Sequence, residues 1–245
     1  MNRLEAFGIG AGNDQEHRLL VDYDQLLAEN YFGQAEELLE TVSTTVLSGV
    51  VPHLEDYEGE LQPGGFMVFP LGLHRLGSLR LHVWATGLDR ESDRGPNIHN
   101  HAWLLASLVL AGTYSDIIYE AQNINASDHD SEALGIRLAR LFRTMRNAKG
   151  EDVLMNDGTH VKPIPILERH IPSGQIHRIE RDVYHVTTIP KEEFAATLVL
   201  NSPAFAETTN VLSDNSNSEI VRTRIALDLE SKLLAKEQLL KAVKE

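Results

Sequence analysis

Eleven histidines and no cysteine define the metal chemistry open to this 245-residue chain. The lack of cysteine excludes disulfides, thiolate metal sites and cysteine nucleophiles together. The segment Asn97-Ile98-His99-Asn100-His101 leads into an apolar run. Alternate residues of a strand point to one face, so His99 and His101 are expected to project together, at the spacing two imidazoles need to share an ion. Alone the pair means little, since chance supplies roughly half a His-x-His per chain of this composition. A second element, Pro172-Ser173-Gly174-Gln175-Ile176-His177, reads as a turn followed by a strand carrying a histidine. That pattern arises by chance in roughly three chains per hundred. Gly112, eleven residues beyond His101, ends the strand begun at the pair. The expected metal ligands are therefore His99, His101 and His177. His185 is expected on a strand near His177 and is read as surface or core rather than as a supporting group. His53, His74, His82, His129, His160 and His170 are read as structural.

The elements that must position these residues are mainly β. Leu38, Leu39, Val42, Val46 and Leu47 recur at helical spacing, and Leu19, Leu20, Leu26 and Leu27 predict an earlier helix, with Gly33 between the two. Pro52, then Gly64 and Gly65, mark a change of texture. Strands are expected at 66–69, 79–85, 104–110, 114–119, 161–167, 175–179, 183–187 and 196–200, broken by Gly, Pro, Asp and Asn as sandwiches and barrels require. Residues 210–213 and 219–226 predict a late hairpin around Asp214-Asn215-Ser216-Asn217. Residues 131–146 predict a helix inserted between strands, with Leu134, Leu138, Leu141, Phe142 and Met145 on one stripe, although the alternation at 136–138 leaves a strand open. Its arginines, Arg137, Arg140, Arg143 and Arg146, read as a solvated face. A last amphipathic helix is expected at 229–244, with Leu229, Leu233, Leu240 and Val243 inward. The expectation is one domain, 1–245, made of a helical segment 14–50, a β-barrel 65–226 and a C-terminal helix 228–245.

Composition narrows the partners. A formal charge of −14 argues against a nucleic-acid surface, which needs clustered Lys and Arg. The longest nearly apolar run, 102–112, falls short of the ~20 residues of a membrane span. With no secretory pattern at the start, a cytoplasmic protein is expected, monomeric or homodimeric, with small molecules rather than membranes as partners. Gly-rich phosphate loops, serine nucleophile elbows and zinc-protease signatures are absent from the sequence.

The His-x-His pair, the later glycine and Pro-x-Gly-x-x-His resemble the two motifs of the cupin superfamily, and within it the cysteine dioxygenase type of thiol dioxygenase. The likeness runs from about Gly65 to Ala226 and includes Trp84, His177-Arg178-Ile179-Glu180 and Ser202-Pro203-Ala204-Phe205, which looks like the family's Ser-Pro-Pro-Phe. The resemblance implies a cupin jelly roll (a double-stranded β-helix barrel) and one divalent metal ion on three histidines. Iron(II) is first choice, with nickel or zinc as alternatives, and the substrates implied are a small molecule and O2. The implied reaction adds both oxygen atoms to a substrate thiolate sulfur, giving a sulfinate.

Leu105 occupies the position of the cupin motif's glutamate, a replacement the thiol dioxygenases share. Period two places it on the face of His99 and His101, so leucine there would leave three neutral imidazoles on one side of the ion and up to three positions open. Elsewhere the chain departs from the family. Its Ser-His-Tyr positions fall on Thr197, Val199 and Asn201, and its carboxylate-binding arginine falls near Met67. Plain L-cysteine is thus disfavoured as substrate, and a different thiol or small chelator is expected. Trp84 and Trp103 are read as core, and Arg178 and Glu180 as cross-strand pairs. Two alternatives remain: a cupin of another class (an isomerase or a C–C cleaving dioxygenase), or a non-catalytic binding or regulatory module.

Overall fold

The structure is a computed structural model describing residues 14–88, 98–124, 138–205 and 208–244, with backbone alone for 14–24. The chain opens with helix α1, Asp14–Thr45. It runs without interruption through Gly33, the expected divider. A helical glycine costs about 1 kcal/mol relative to alanine, but Ala28, Tyr31, Phe32, Ala35 and Leu39 form a buried stripe at three- and four-residue spacing that outweighs it. A π turn, Val46–Val50, and a 3-10 turn, Val51–Asp56, then lead into the sheets.

Fourteen strands follow among the described residues. They are β1 Glu60–Leu61, β2 Met67–His74, β3 Gly77–Trp84, β4 Ile98–His99, β5 Leu105–Ala111, β6 Thr113–Ile124 and β7 Ala139–Arg146. The rest are β8 Asp152–Pro172, β9 Ile176–Ile179, β10 Tyr184–Thr187, β11 Ala195–Asn201, β12 Thr209–Ser213, β13 Glu219–Arg222 and β14 Ile225–Ala226. The first antiparallel sheet has the order β14-β1-β2-β3-β11-β5-β9, and the second β13-β8-β6-β10-β4-β12-β7. β7 also pairs with β8, so the second ladder returns on itself. The eight expected strands all coincide with observed ones.

The first sheet is buried on both faces at its centre, where every residue of β5 and β11 is buried. Leu81, Val83, Ala106, Leu198 and Leu200 meet Ala35 and Leu39 of α1 and Ala235 and Leu239 of helix α2, Leu229–Ala242. The Tyr31 hydroxyl donates to the Leu200 carbonyl at 2.8 Å, tying α1 to β11. The opposite face turns towards the second sheet, across a cavity lined by both.

Three further expectations are corrected. Residues 139–146 form a strand rather than a helix, because β8 and β12 pair on either side of it and bury Ala139 and Phe142; residues 131–137 lie outside the described ones. The late strands form no hairpin, since β12 pairs with β7 and β4, β13 with β8 and β14 with β1. On α2, Leu229, Leu233 and Val243 are exposed and Ala235 and Leu239 buried. The helix is set by polar anchors, Gln238 to the Thr86 backbone and Lys236 to Glu55, which turn a different face inward. Among the described residues no helix is long and apolar enough to cross a membrane.

Candidate metal centre

Three imidazoles converge where β4 meets β10. His185 and His99 are direct cross-strand partners, a relation that sets Cβ atoms about 5 Å apart. His101 follows two residues later, beyond the end of β4, in an irregular segment. That segment is pinned from several sides. The Asn100 backbone and side chain both bond to Asn210, at 3.0 and 2.7 Å. The His101 carbonyl accepts from the Asp182 amide at 3.0 Å. Leu104 N donates to the Ser202 hydroxyl at 3.0 Å, and Phe205 N to the Ala102 carbonyl at 2.7 Å, so the Ser202–Phe205 stretch holds the loop in place. The ring centroids lie 4.5 Å (His99–His185), 4.8 Å (His99–His101) and 5.0 Å (His101–His185) apart. One ligand atom from each of the three lies within 4.8 Å of the others.

The donor set fits a transition metal. Nitrogens bonded at about 2.1 Å to one ion stand about 3 to 3.5 Å apart, so small ring rotations close the triad. His185 Nδ1 faces the Val183 carbonyl at 3.1 Å; donating there leaves Nε2 as the metal-facing lone pair. The Trp103 indole stacks on His101 at 4.9 Å and 24°, holding that ring. Burial, followed by repulsion from neighbouring imidazoles, holds His101 and His185 well below the usual histidine range. Both are neutral at ordinary pH, as ligation requires. Among the described residues no carboxylate joins the group.

The structure brings His99 and His101 together, and the third histidine beside them is His185 rather than the expected His177. His177 lies on β9, which pairs with β5 in the first sheet, and its partner there is Ser107. It faces the same cavity from the opposite wall. His185 takes the third place because its strand belongs to the second sheet with His99. The signal was present but disguised. Asp182 has φ of 63° and stands three residues before His185, as Gly174, with φ of 83°, stands three before His177. Asp tolerates the left-handed region that a turn of this kind demands, so the later histidine carries the turn–strand geometry without the glycine.

Leu105 also falls differently from its expected register. The chain leaves the second sheet after His99 and enters the first at Leu105, so period two does not carry across. Leu105 packs with Ile179 and Val199, partly covered by Trp103 and Val183, into an apolar patch that lines the same cavity.

The cavity encloses about 550 Å³. Its first-sheet wall carries buried polar atoms with no hydrogen-bond partner: both ring nitrogens of His177, the Ser107 and Thr197 hydroxyls, the Asn201 carbonyl oxygen and His82 Nε2. Such atoms are costly to bury unmatched and are ordinarily satisfied by a bound molecule or water. Burial pushes His177 down to about 4, against the pull of Asp116, whose carboxylate stands 4.0 Å away and accepts two hydrogen bonds from the Arg169 guanidinium. Burial takes His82 to about 3. Trp84 stacks on Phe66 at 4.9 Å and lines the cavity with Trp103. Arg178 points outward and bonds Glu36 of α1, so it serves helix docking rather than a cross-strand pair.

No protein-family model matches the chain, and no curated protein matches it.

Proposed function

We propose that the protein is a mononuclear non-haem dioxygenase of the cupin type, with iron(II) held by His99, His101 and His185, acting on a thiol or related chelating substrate other than plain L-cysteine. The observation that carries this is the convergence of three imidazoles, two of them held neutral by burial, with no carboxylate among the described residues joining them, on a cavity wall facing unmatched polar groups. Neutral donors leave a dication's charge uncompensated, which favours an anionic chelating substrate. Bound there, iron(II) supplies the electron chemistry that makes O2 reactive towards sulfur or electron-rich carbon.

The chain's own groups do the rest. Trp103 and the Val183 carbonyl fix the ligand rings. Leu105, Ile179 and Val199 keep water from one flank of the site. His177, Ser107 and Thr197 face the substrate and orient it by hydrogen bonds. Tyr114, its ring 4.3 Å from His177, is held protonated by burial and by Asp116, and its hydroxyl pairs with Thr187 at 2.8 Å.

A non-catalytic binding module is the second reading. Val199 and Asn201 favour it, because they put neither imidazole nor phenol on that stretch of the cavity wall. Oxygen uptake by the ferrous protein with cysteine, cysteamine, 3-mercaptopropionate and β-diketones separates the two. Uptake with a non-cysteine chelator supports the oxygenase. Stoichiometric iron with silence across the panel supports the module.

A further inference from the structure

The first-sheet wall of the cavity carries an ordered array of uncharged polar groups. On β11, Thr197, Val199 and Asn201 all line the cavity, as alternate residues on one face of a strand do. Register extends each of them into a rung across the sheet. Thr197 pairs with His82 of β3. Val199 pairs with Ser107 of β5, which pairs in turn with His177 of β9, and Asn201 pairs with Leu105. From Thr197 to Asn201 the array runs about 13 Å, at roughly 3.3 Å per residue. The Ser107 and Thr197 hydroxyls, the Asn201 carbonyl oxygen, His82 Nε2 and both nitrogens of His177 are buried without a partner. So is the indole nitrogen of Trp103, which lines the same cavity. Ser107, His177, Thr197 and Asn201 are each more than nine-tenths buried.

These atoms set what an occupant must offer. The Trp103 N–H only donates, so it needs an acceptor. A neutral imidazole keeps one bare nitrogen that only accepts, and neither nitrogen of His177 meets a donor, whichever carries the proton. The occupant must therefore accept and donate along the same wall. An ionised carboxylate offers no donor, and a hydrocarbon offers neither function. A hydroxyl does both, as the Ser107 and Thr197 hydroxyls do. The groups lie on three successive rungs, farther apart than a single amide reaches, so several hydroxyls on one frame match them. Arg80, at the β3 end of the Val199 rung, adds donors that the same hydroxyls accept. Phe66 and Trp84, stacked at 4.9 Å, join Trp103 in bringing aromatic surface to the cavity. The C–H edge of a saturated ring packs against such a surface.

We infer that the cavity receives an uncharged, hydroxyl-rich ring compound of the carbohydrate class, its hydroxyls matched to the three rungs of the first sheet and its ring against the aromatic surface. For the oxygenase proposed above, this names the body of the substrate: a sugar or cyclitol that carries the chelating group. That link rests on the metal reading; the polar wall does not. Both tryptophans of the chain line the cavity, so their fluorescence reports occupancy directly.

The test titrates glucose, maltose and myo-inositol into metal-free protein, with cyclohexanol as the ring that lacks the array of hydroxyls. At least one polyol should bind saturably, about tenfold or more tighter than cyclohexanol. The Ser107→Ala/Thr197→Val variant should lose about tenfold of that affinity while its urea midpoint holds or rises, because each substitution removes a buried hydroxyl that has no partner to lose. Three outcomes overturn the inference: no saturable polyol binding, cyclohexanol binding as tightly as the best polyol, or an affinity unmoved by the double substitution. A lowered urea midpoint overturns it too, since the hydroxyls would then serve the fold. 1-Thioglucose on metal-free and zinc-loaded protein separates this inference from the metal reading. Binding tighter than that of glucose only in the zinc-loaded protein supports the link to the histidine triad. No gain there, with polyol binding intact, sinks the metal reading and leaves the carbohydrate wall standing.

Discussion

Two short stretches of this chain have the same local form and opposite fates. Gly174 to His177 and Asp182 to His185 each place a left-handed residue three positions before a histidine on a four-residue strand. The first strand adds to β5 and faces the cavity from the first sheet; the second lies between β4 and β6 and meets His99. Local turn chemistry is alike in the two, so what sets one histidine beside His99 and the other on the facing wall is which sheet accepts its strand. A motif encodes the turn; the pairing partner, fixed far away in sequence, encodes the role.

The sharpest way to break the comparison is to remove each histidine in turn. His185→Ala should lose at least about 100-fold in zinc or iron affinity, more than the loss of an outer supporting group costs. His177→Asn should keep full metal stoichiometry. Metal analysis after dialysis and calorimetric titration decide it, and the reverse pattern would restore His177 to the triad.

Asp116 stands beside both stretches, paired across strands with Thr187 of β10 and with Arg169 of β8. Fully buried and bonded twice by Arg169, it is the ion pair whose loss should cost most in stability. Asp116→Asn leaves a partly buried guanidinium uncompensated and should destabilise the fold by about 3 kcal/mol, read by urea unfolding of the metal-free protein.

Acid should act on the His177 wall next. His177 titrates near 4 in the fold, below its unfolded value of about 6.5, so the unfolded chain binds more protons between those limits. Its contribution is therefore complete above pH 6.5 and is lost as pH falls towards 4, on the order of 3 kcal/mol at most. His82, near 3, adds to the same slope and extends it lower. Unfolding midpoints of metal-free wild type and His177→Gln between pH 7.5 and 4.5 should converge on the acid side. Parallel curves would show that His177 is not the neutral, buried group described.

What the sequence made legible follows from what is local. Alternation and turn residues located the eight expected strands, and the nearness of His99 to His101 was legible in their spacing. That of His185 to the pair was not, because the pairing of β10 with β4 spans more than eighty residues. Leu105 misled for a related reason: period two assumes one continuous strand, and the chain changes sheets between His99 and Leu105. Residues 139–146 misled because helical and extended faces both bury Phe142, and only two flanking strands decide between them. The row of Arg146, Asp152 and Arg222 was invisible for the same cause, since the three become neighbours only when β7 and β13 both pair with β8.

The smallest effect tests the disguise itself. Among the described residues, its chain neighbours aside, no atom would lie within 4 Å of a Cβ on Gly174, so Gly174→Ala meets no clash and should cost about 1 kcal/mol from its positive φ alone. Asp182 already bears that strain, and Asp182→Gly relieves it while losing the backbone stiffness of a side chain. The two terms oppose, so stability should rise by under about 1 kcal/mol or stay level, with metal affinity unchanged. Paired thermal melts and zinc titrations of the two variants measure both. If Asp182→Gly instead weakens zinc binding about tenfold, the carboxylate itself supports the triad through the loop at His101, and the likeness of the two turns is one of backbone shape without equivalence of role.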